Sequence, residues 1–247
     1  MRASADRATQ RGVVLIIVLV WLTVMTLLAV SGAQIGLQEK KALRNFRDRE
    51  IAFHAAEAGL LDGEIDLDTA LVNEAARSTR SAMFSPSNRT GFPRAEEALC
   101  HSGEAHPQQG LCRMSADADQ AAWVVVDLAA FEAGVPVRYG RFTGRTMATA
   151  AASLPSRLPR YLIELLPDPK ATDTAIPRYV YRVTAIGFGA QSDNQVVLQS
   201  LYRKGDDSVG AAAPSAGSPL RVGRLSWREI GNWRELHEHS TLYGKSP

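Results

Sequence analysis

The chain has 247 residues, 45% of them hydrophobic and 22% charged, with a formal net charge of +2. That length suits one domain with appendages, the composition is that of an ordinary globular protein, and the near-neutral balance excludes charge-driven nucleic-acid binding. The two cysteines, Cys100 and Cys112, fit no CxxC metal or redox spacing; they either close a short loop as a disulfide or stand as two thiols. On an oxidising membrane face they should be bonded, and a loop of this size contributes about 3 kcal/mol.

Arg2, Arg7 and Arg11 precede a stretch from Gly12 to Gln38 that carries no charge. Within it, Val13 to Val30 reads VVLIIVLVWLTVMTLLAV, apolar apart from Thr23 and Thr26. A lone segment in lipid must satisfy its own backbone hydrogen bonds, so a helix is predicted. At about 1.5 Å per residue it covers roughly 27–30 Å of hydrocarbon. Apolarity on every side argues against a buried core helix. The basic start and Ser31-Gly32-Ala33 resemble a secretory signal, but the apolar run exceeds the roughly 7–15 residues of such a signal. Lys40, Lys41, Arg44, Arg47 and Arg49 outnumber the leader arginines, so charge alone does not set the orientation.

Beyond the span, Phe46, Phe53, Leu60 and Leu67 recur every seven residues, with Arg44, Arg47, Arg49 and Glu57 on other faces. The spacing predicts an amphipathic helix packing one apolar stripe on a sheet. Asp62, Glu64, Asp66 and Asp68 alternate, but Gly63 is misplaced for an EF-hand and alternate residues on a helix diverge. They read as a solvated helix face.

Ser78 to Pro93 reads as a loop. Ala121–Leu128, Arg160–Leu166, Arg178–Gly187 and Gln195–Tyr202 read as strands, with Asp193-Asn194 turning a hairpin between the last two, and Arg141–Ser153 as a second helix. After Lys204, GDDSVGAAAPSAGSP has linker composition. Ser226 and Glu229 have capping-box spacing, and Trp227, Ile230, Trp233 and Leu236 recur at helical intervals. A short tail helix is expected to dock through these residues on its own domain or a partner. The expected class is α+β, one long helix on an antiparallel sheet. The expected order is leader 1–12, helix 13–78, head 79–204, linker 205–219 and tail 220–247.

No GxSxG, HExxH, Walker or GxGxxG sequence occurs, and Gly187 and Gly189 lack the third glycine of the last. His237-Glu238-His239 is too closely spaced for one helix face. No enzyme activity, cofactor or metal is expected.

Gln10-Arg11-Gly12 followed by GVVLIIVLVWLTVMTLL resembles the class III signal of type IV pilins and pseudopilins. Asn45-Phe46-Arg47-Asp48-Arg49 with Ala52-Phe53-His54-Ala55-Ala56-Glu57-Ala58-Gly59-Leu60 resembles the PilX subgroup of pilus assembly proteins. Tyr181-Arg182-Val183-Thr184-Ala185, leading through Gly187 and Gly189 to Val196-Val197-Leu198-Gln199-Ser200, resembles its closing hairpin. The resemblance implies cleavage by a prepilin peptidase after Gly12 and methylation of the new Val13 amine. It also implies an assembly helix bearing Ile17, Phe46, Phe53, Glu57 and Leu60.

Major pilins carry a glutamate at the fifth mature position, where this chain has Ile17. PilX-like and GspK-like members share that absence, which implies a low-copy subunit near the tip. The implied function is that of a minor pilin supporting pilus biogenesis, adhesion or twitching. Its implied partners are other minor pilins, the major pilin, the inner-membrane assembly platform and, before assembly, the lipid bilayer. A single-pass inner-membrane protein with a periplasmic head is expected. The rivals are a GspK-like pseudopilin of a type II secretion system and a periplasmic binding protein or enzyme released after Ala33.

Overall fold

The computed structural model describes residues 10–68, 80, 83–85, 89–115, 120–130, 134–150, 153–168, 178–205 and 221–243. Two compact units divide the chain, Met1–Arg47 and Asp48–Pro247. The first is built on the opening part of helix α1, Gln10–Leu67. The second contains the rest of α1, the strands β1 (Leu111–Arg113), β2 (Val137–Arg138), β3 (Arg160–Pro167), β4 (Tyr179–Phe188), β5 (Gln195–Arg203) and β6 (Gly223–Glu229), and helices α2 (Ala122–Val125) and α3 (Trp233–Tyr243).

The sheet runs β1-β3-β4-β5-β6, with β2 also pairing β3. All pairs are antiparallel except β1 with β3, so one short parallel strand makes the sheet of this α+β fold mixed. The predicted hairpin turns at residues 189–194, where Gly189 N–H donates to the Asn194 carbonyl at 2.8 Å. Side chains alternate across the strands. Tyr181, Val183 and Ala185 of β4 join a core beneath α1, while Ile186 and Phe188 join a second core with Cys100, Cys112, Ile230 and Trp233.

The ridge that α1 presents to the sheet differs from the expected stripe. Ala52, Ala56, Gly59 and Gly63 face the strands: a Cβ on Gly63 would lie 2.6 Å from Val183 Cγ1, and one on Gly59 3.0 Å from Pro159 Cβ. Leu60 and Leu67 are fully buried on this face, Phe53 is half-buried at its margin, and Phe46, in the other unit, is 64% exposed. Small side chains let the two backbones approach, so bulky apolar residues fill only the flanks.

Three further expectations are corrected. Residues 121–128 form the single turn of α2 and irregular chain, not a strand; their apolar run lies over the sheet, and such a run cannot be told from a strand by periodicity. Residues 141–150 are non-helical, because Gly140 and Gly144 sit at φ +74° and +72° and close tight turns. Ser226 is no helix cap; it pairs with Leu201 inside β6, and the tail helix begins at Trp233. The predicted extension of the long helix through 69–78 and nearly all of the 205–219 linker lie outside the described residues.

Candidate functional site

In the first unit, α1 is apolar and uncovered. Its most apolar window of 18 residues has mean hydropathy 3.0 with none of it buried, so by length and composition this helix can cross a membrane. The hydroxyls in it need no outside partner: Thr23 donates to the Val20 carbonyl at 2.7 Å, Thr26 to Thr23 at 2.8 Å and Ser31 to Leu27 at 2.9 Å. With its backbone bonded internally, the segment offers lipid or neighbouring helices only apolar surface. Gly12 lies within α1, and Val13 and Ile17 are 56% and 52% exposed.

In the second unit, α1 is held by carboxylates that the sequence reading placed in water. Asp62 and Asp66 are fully buried, and Glu64 and Asp68 are 3% and 5% exposed. The pairs at i, i+4 diverge to opposite sides of the Gly63 ridge. On one side Asp62 accepts from Thr143 Oγ1 and from Gly140 N–H at 2.7 Å, and Asp66 from Arg80 and from Tyr161 Oη at 2.9 Å. On the other, Glu64 accepts from Ser200 Oγ and Arg224 Nε, each at 2.7 Å, and Asp68 from Tyr202 Oη at 2.7 Å. About four turns further back, Asp48 takes Gln191 N–H at 3.2 Å and Asn194 Nδ2 at the hairpin. Burial pushes the Asp62 carboxyl upward against the pull of its Thr143 and Gly140 donors. The missed signal was the ridge: two acidic pairs that straddle small residues on a helix are placed to grip both sides of a strand.

Strand β6 adds a second row along α1. Arg224 reaches Glu64, Trp227 meets the Phe53 ring edge-on at 6.0 Å, and Glu229 accepts from Arg49 at 2.5 Å. Trp227 thus lies on a strand, 42% exposed. Ile230 and Trp233 are buried on the opposite sheet face, where Trp233 Nε1 donates to the Trp123 carbonyl at 2.8 Å and His237 Nδ1 lies 2.7 Å from that of Val124. Cys100 and Cys112 are disulfide-bonded beneath the same face. Glu57 stays exposed beside His54, 3.3 Å away.

Residues 11–61 match the model of the PilX N-terminal domain, and residues 103–204 that of the type IV pilus assembly protein PilX C-terminal region. The chain belongs to the PilX family of type IV pilus assembly proteins. No curated protein and no solved structure matches. PilX proteins are structural rather than catalytic and work with other pilus components, and the exposed apolar helix fits a membrane-anchored, pilus-associated member. Strand β6 and helix α3 lie beyond the matched PilX regions.

On the face that α2 and α3 share, Glu164 is 1% exposed. It accepts the Ala122 N–H at 3.0 Å, with Arg182 Nη1 at 3.5 Å, and burial lifts its carboxyl to about 7. Because the folded state holds this proton more tightly than the unfolded chain, its contribution is full below the ordinary carboxylate range and is lost as pH rises through about 7. Urea unfolding of wild type and Glu164→Gln at pH 5 and pH 8 checks this. The stability lost between the two pH values should be smaller in the variant by about 2 kcal/mol; equal losses would show that Glu164 ionises freely in the fold.

Proposed function

We propose that this PilX protein is a minor pilin that co-assembles with other minor pilins and the major pilin, primes or caps the filament, and thereby supports pilus biogenesis, adhesion or twitching. A prepilin peptidase removes residues 1–12 and methylates the Val13 amine. The head faces the periplasm while α1 is in the inner membrane, and reaches the pilus tip after extraction by the assembly platform. A disulfide in the head is consistent with an oxidising compartment.

One observation carries the reading: Ile17, fifth from Val13, stands on an uncharged and uncovered helix face. Without a carboxylate there, the helix cannot neutralise a neighbour's terminal ammonium inside an apolar bundle, where an unpaired charge costs several kcal/mol. Each added copy carries that cost, so the subunit suits a place of low copy number.

Mass spectrometry of the protein from a cell with its own prepilin peptidase should find a methylated Val13 terminus. Quantified sheared filaments should hold far fewer copies than of the main subunit. A terminus at Gln34 would sink the pilin reading, and stoichiometry equal to the main subunit would sink the tip role.

A further inference from the structure

The sheet face opposite α1 is only partly roofed. The second core, with α2, α3 and the disulfide, covers the end carrying Ile186 and Phe188. Toward the other end an open trench of about 620 Å³ runs from the end of β1 to β6. Four strand spacings separate β1 from β6, which makes it about 19 Å long, the span of roughly six extended residues.

Its floor is two rows set by the strand registers: Glu164, Arg182, Leu201 and Ser226 lie side by side, as do Thr184, Gln199 and Arg228. One margin is aliphatic, with Leu166 half-buried and Met114 47% exposed, and the half-buried Leu201 of the floor adds to this apolar strip. The other is Trp123 of α2, whose ring lies 5.8 Å from the Arg228 guanidinium.

The charges are unbalanced. Glu164 faces Arg182 from the buried floor, whereas Arg228 donates from Nε at 3.1 Å and Nη2 at 2.8 Å to Gln199 Oε1, a neutral amide oxygen. Among the described residues no carboxylate pairs with Arg228. Gln199 is itself fixed by its bond to the buried Thr184 hydroxyl at 2.9 Å, so the guanidinium is held in place before any ligand arrives. A pre-positioned, exposed guanidinium is the group that takes up a carboxylate most effectively.

We propose that this trench is a binding site for an extended peptide segment of another protein, one that places a carboxylate on Arg228 and Arg182 and apolar side chains along Met114, Leu166 and Leu201. The lining distinguishes a peptide from an acidic sugar chain. Saccharide trenches need open aromatic faces, but of the two tryptophans lining this one Trp123 is engaged by Arg228 and Trp227 turns its ring to Phe53 of α1, whereas an aliphatic strip with a flexible methionine accommodates varied side chains. Arg228 and Ser226 belong to β6, outside the regions matched to the PilX models, and this strand completes the trench. The inference does not depend on where in the filament the protein sits.

The test uses the full chain in detergent micelles and three fluorescent probes: a decapeptide alternating Leu and Glu, its Leu–Gln counterpart, and an oligouronate. Saturable binding is expected for the Leu–Glu peptide and not for the oligouronate, weakening roughly tenfold or more with Leu–Gln, in Arg228→Gln and in Met114→Asp. Arg228 and Met114 are exposed, and unchanged thermal unfolding of both variants should accompany the loss. Three results would overturn the site as proposed: no saturable binding of the Leu–Glu peptide, equal affinity for the oligouronate, or Arg228→Gln binding like wild type.

Discussion

Arg80→Ala is expected to unfold the head at physiological temperature, with a loss of about 3–5 kcal/mol in equilibrium denaturation. Arg80 is 1% exposed and its guanidinium forks onto Asp66, with Nε at 2.9 Å and Nη2 at 2.5 Å from Oδ2. Its Nη1 donates to the Gln109 carbonyl at 2.6 Å, and the plane lies 3.7 Å from the Phe142 ring centroid. Truncation removes the charge facing a fully buried carboxylate on α1 and leaves the Gln109 carbonyl without this donor. The cost is thus the penalty of a buried ion stripped of its guanidinium and keeping neutral donors such as Tyr161 Oη, larger than the net worth of the pair itself. Arg80→Met combined with Asp66→Leu should be less damaging than Arg80→Ala alone, since it removes both charges at nearly constant volume. A loss below about 1 kcal/mol in the single variant would show that the pair does not hold α1 to the head.

Gly187→Ala is the second large effect, and it acts by contact alone. A Cβ there would lie 2.2 Å from both the Ala52 carbonyl oxygen and the Ala56 nitrogen, and 2.8 Å from Ala56 Cα. These are backbone atoms of α1 and cannot rotate away, so the helix must lift from β4 at its tightest point. The expected cost is about 3 kcal/mol or more, with a lowered Tm. Gly231→Ala is the matched control: its Cβ meets nothing within 4 Å, and its effect should stay within about 0.5 kcal/mol. Equal unfolding midpoints for the two variants would mean that α1 is not seated on Gly187.

These variants mark where sequence reading stopped short. Strands β3, β4 and β5 were legible because each is a short run rich in Val, Ile, Leu and Tyr bounded by turn residues. Strands β1 and β6 were not: Leu111–Arg113 is three residues long, and Gly223–Glu229 carries Arg, Ser and Glu that make sense only as partners of α1 and β5. Gly187 and Gly189 stood out in sequence as part of a family hairpin, but their reason is the helix lying across them. A Cβ on Gly189 would come within 2.5 Å of Asp48 Oδ1.

The sequence alone determined the apolar helix, the missing carboxylate at Ile17, the closing hairpin and the family, because each is written in neighbouring residues through composition, periodicity or motif. Tertiary structure alone decided the fate of the acidic run after Gly59. Asp62 finds Thr143 across 81 residues and Glu64 finds Arg224 across 160. A carboxylate is solvated or buried according to donors supplied from elsewhere in the chain, and no local pattern carries that information.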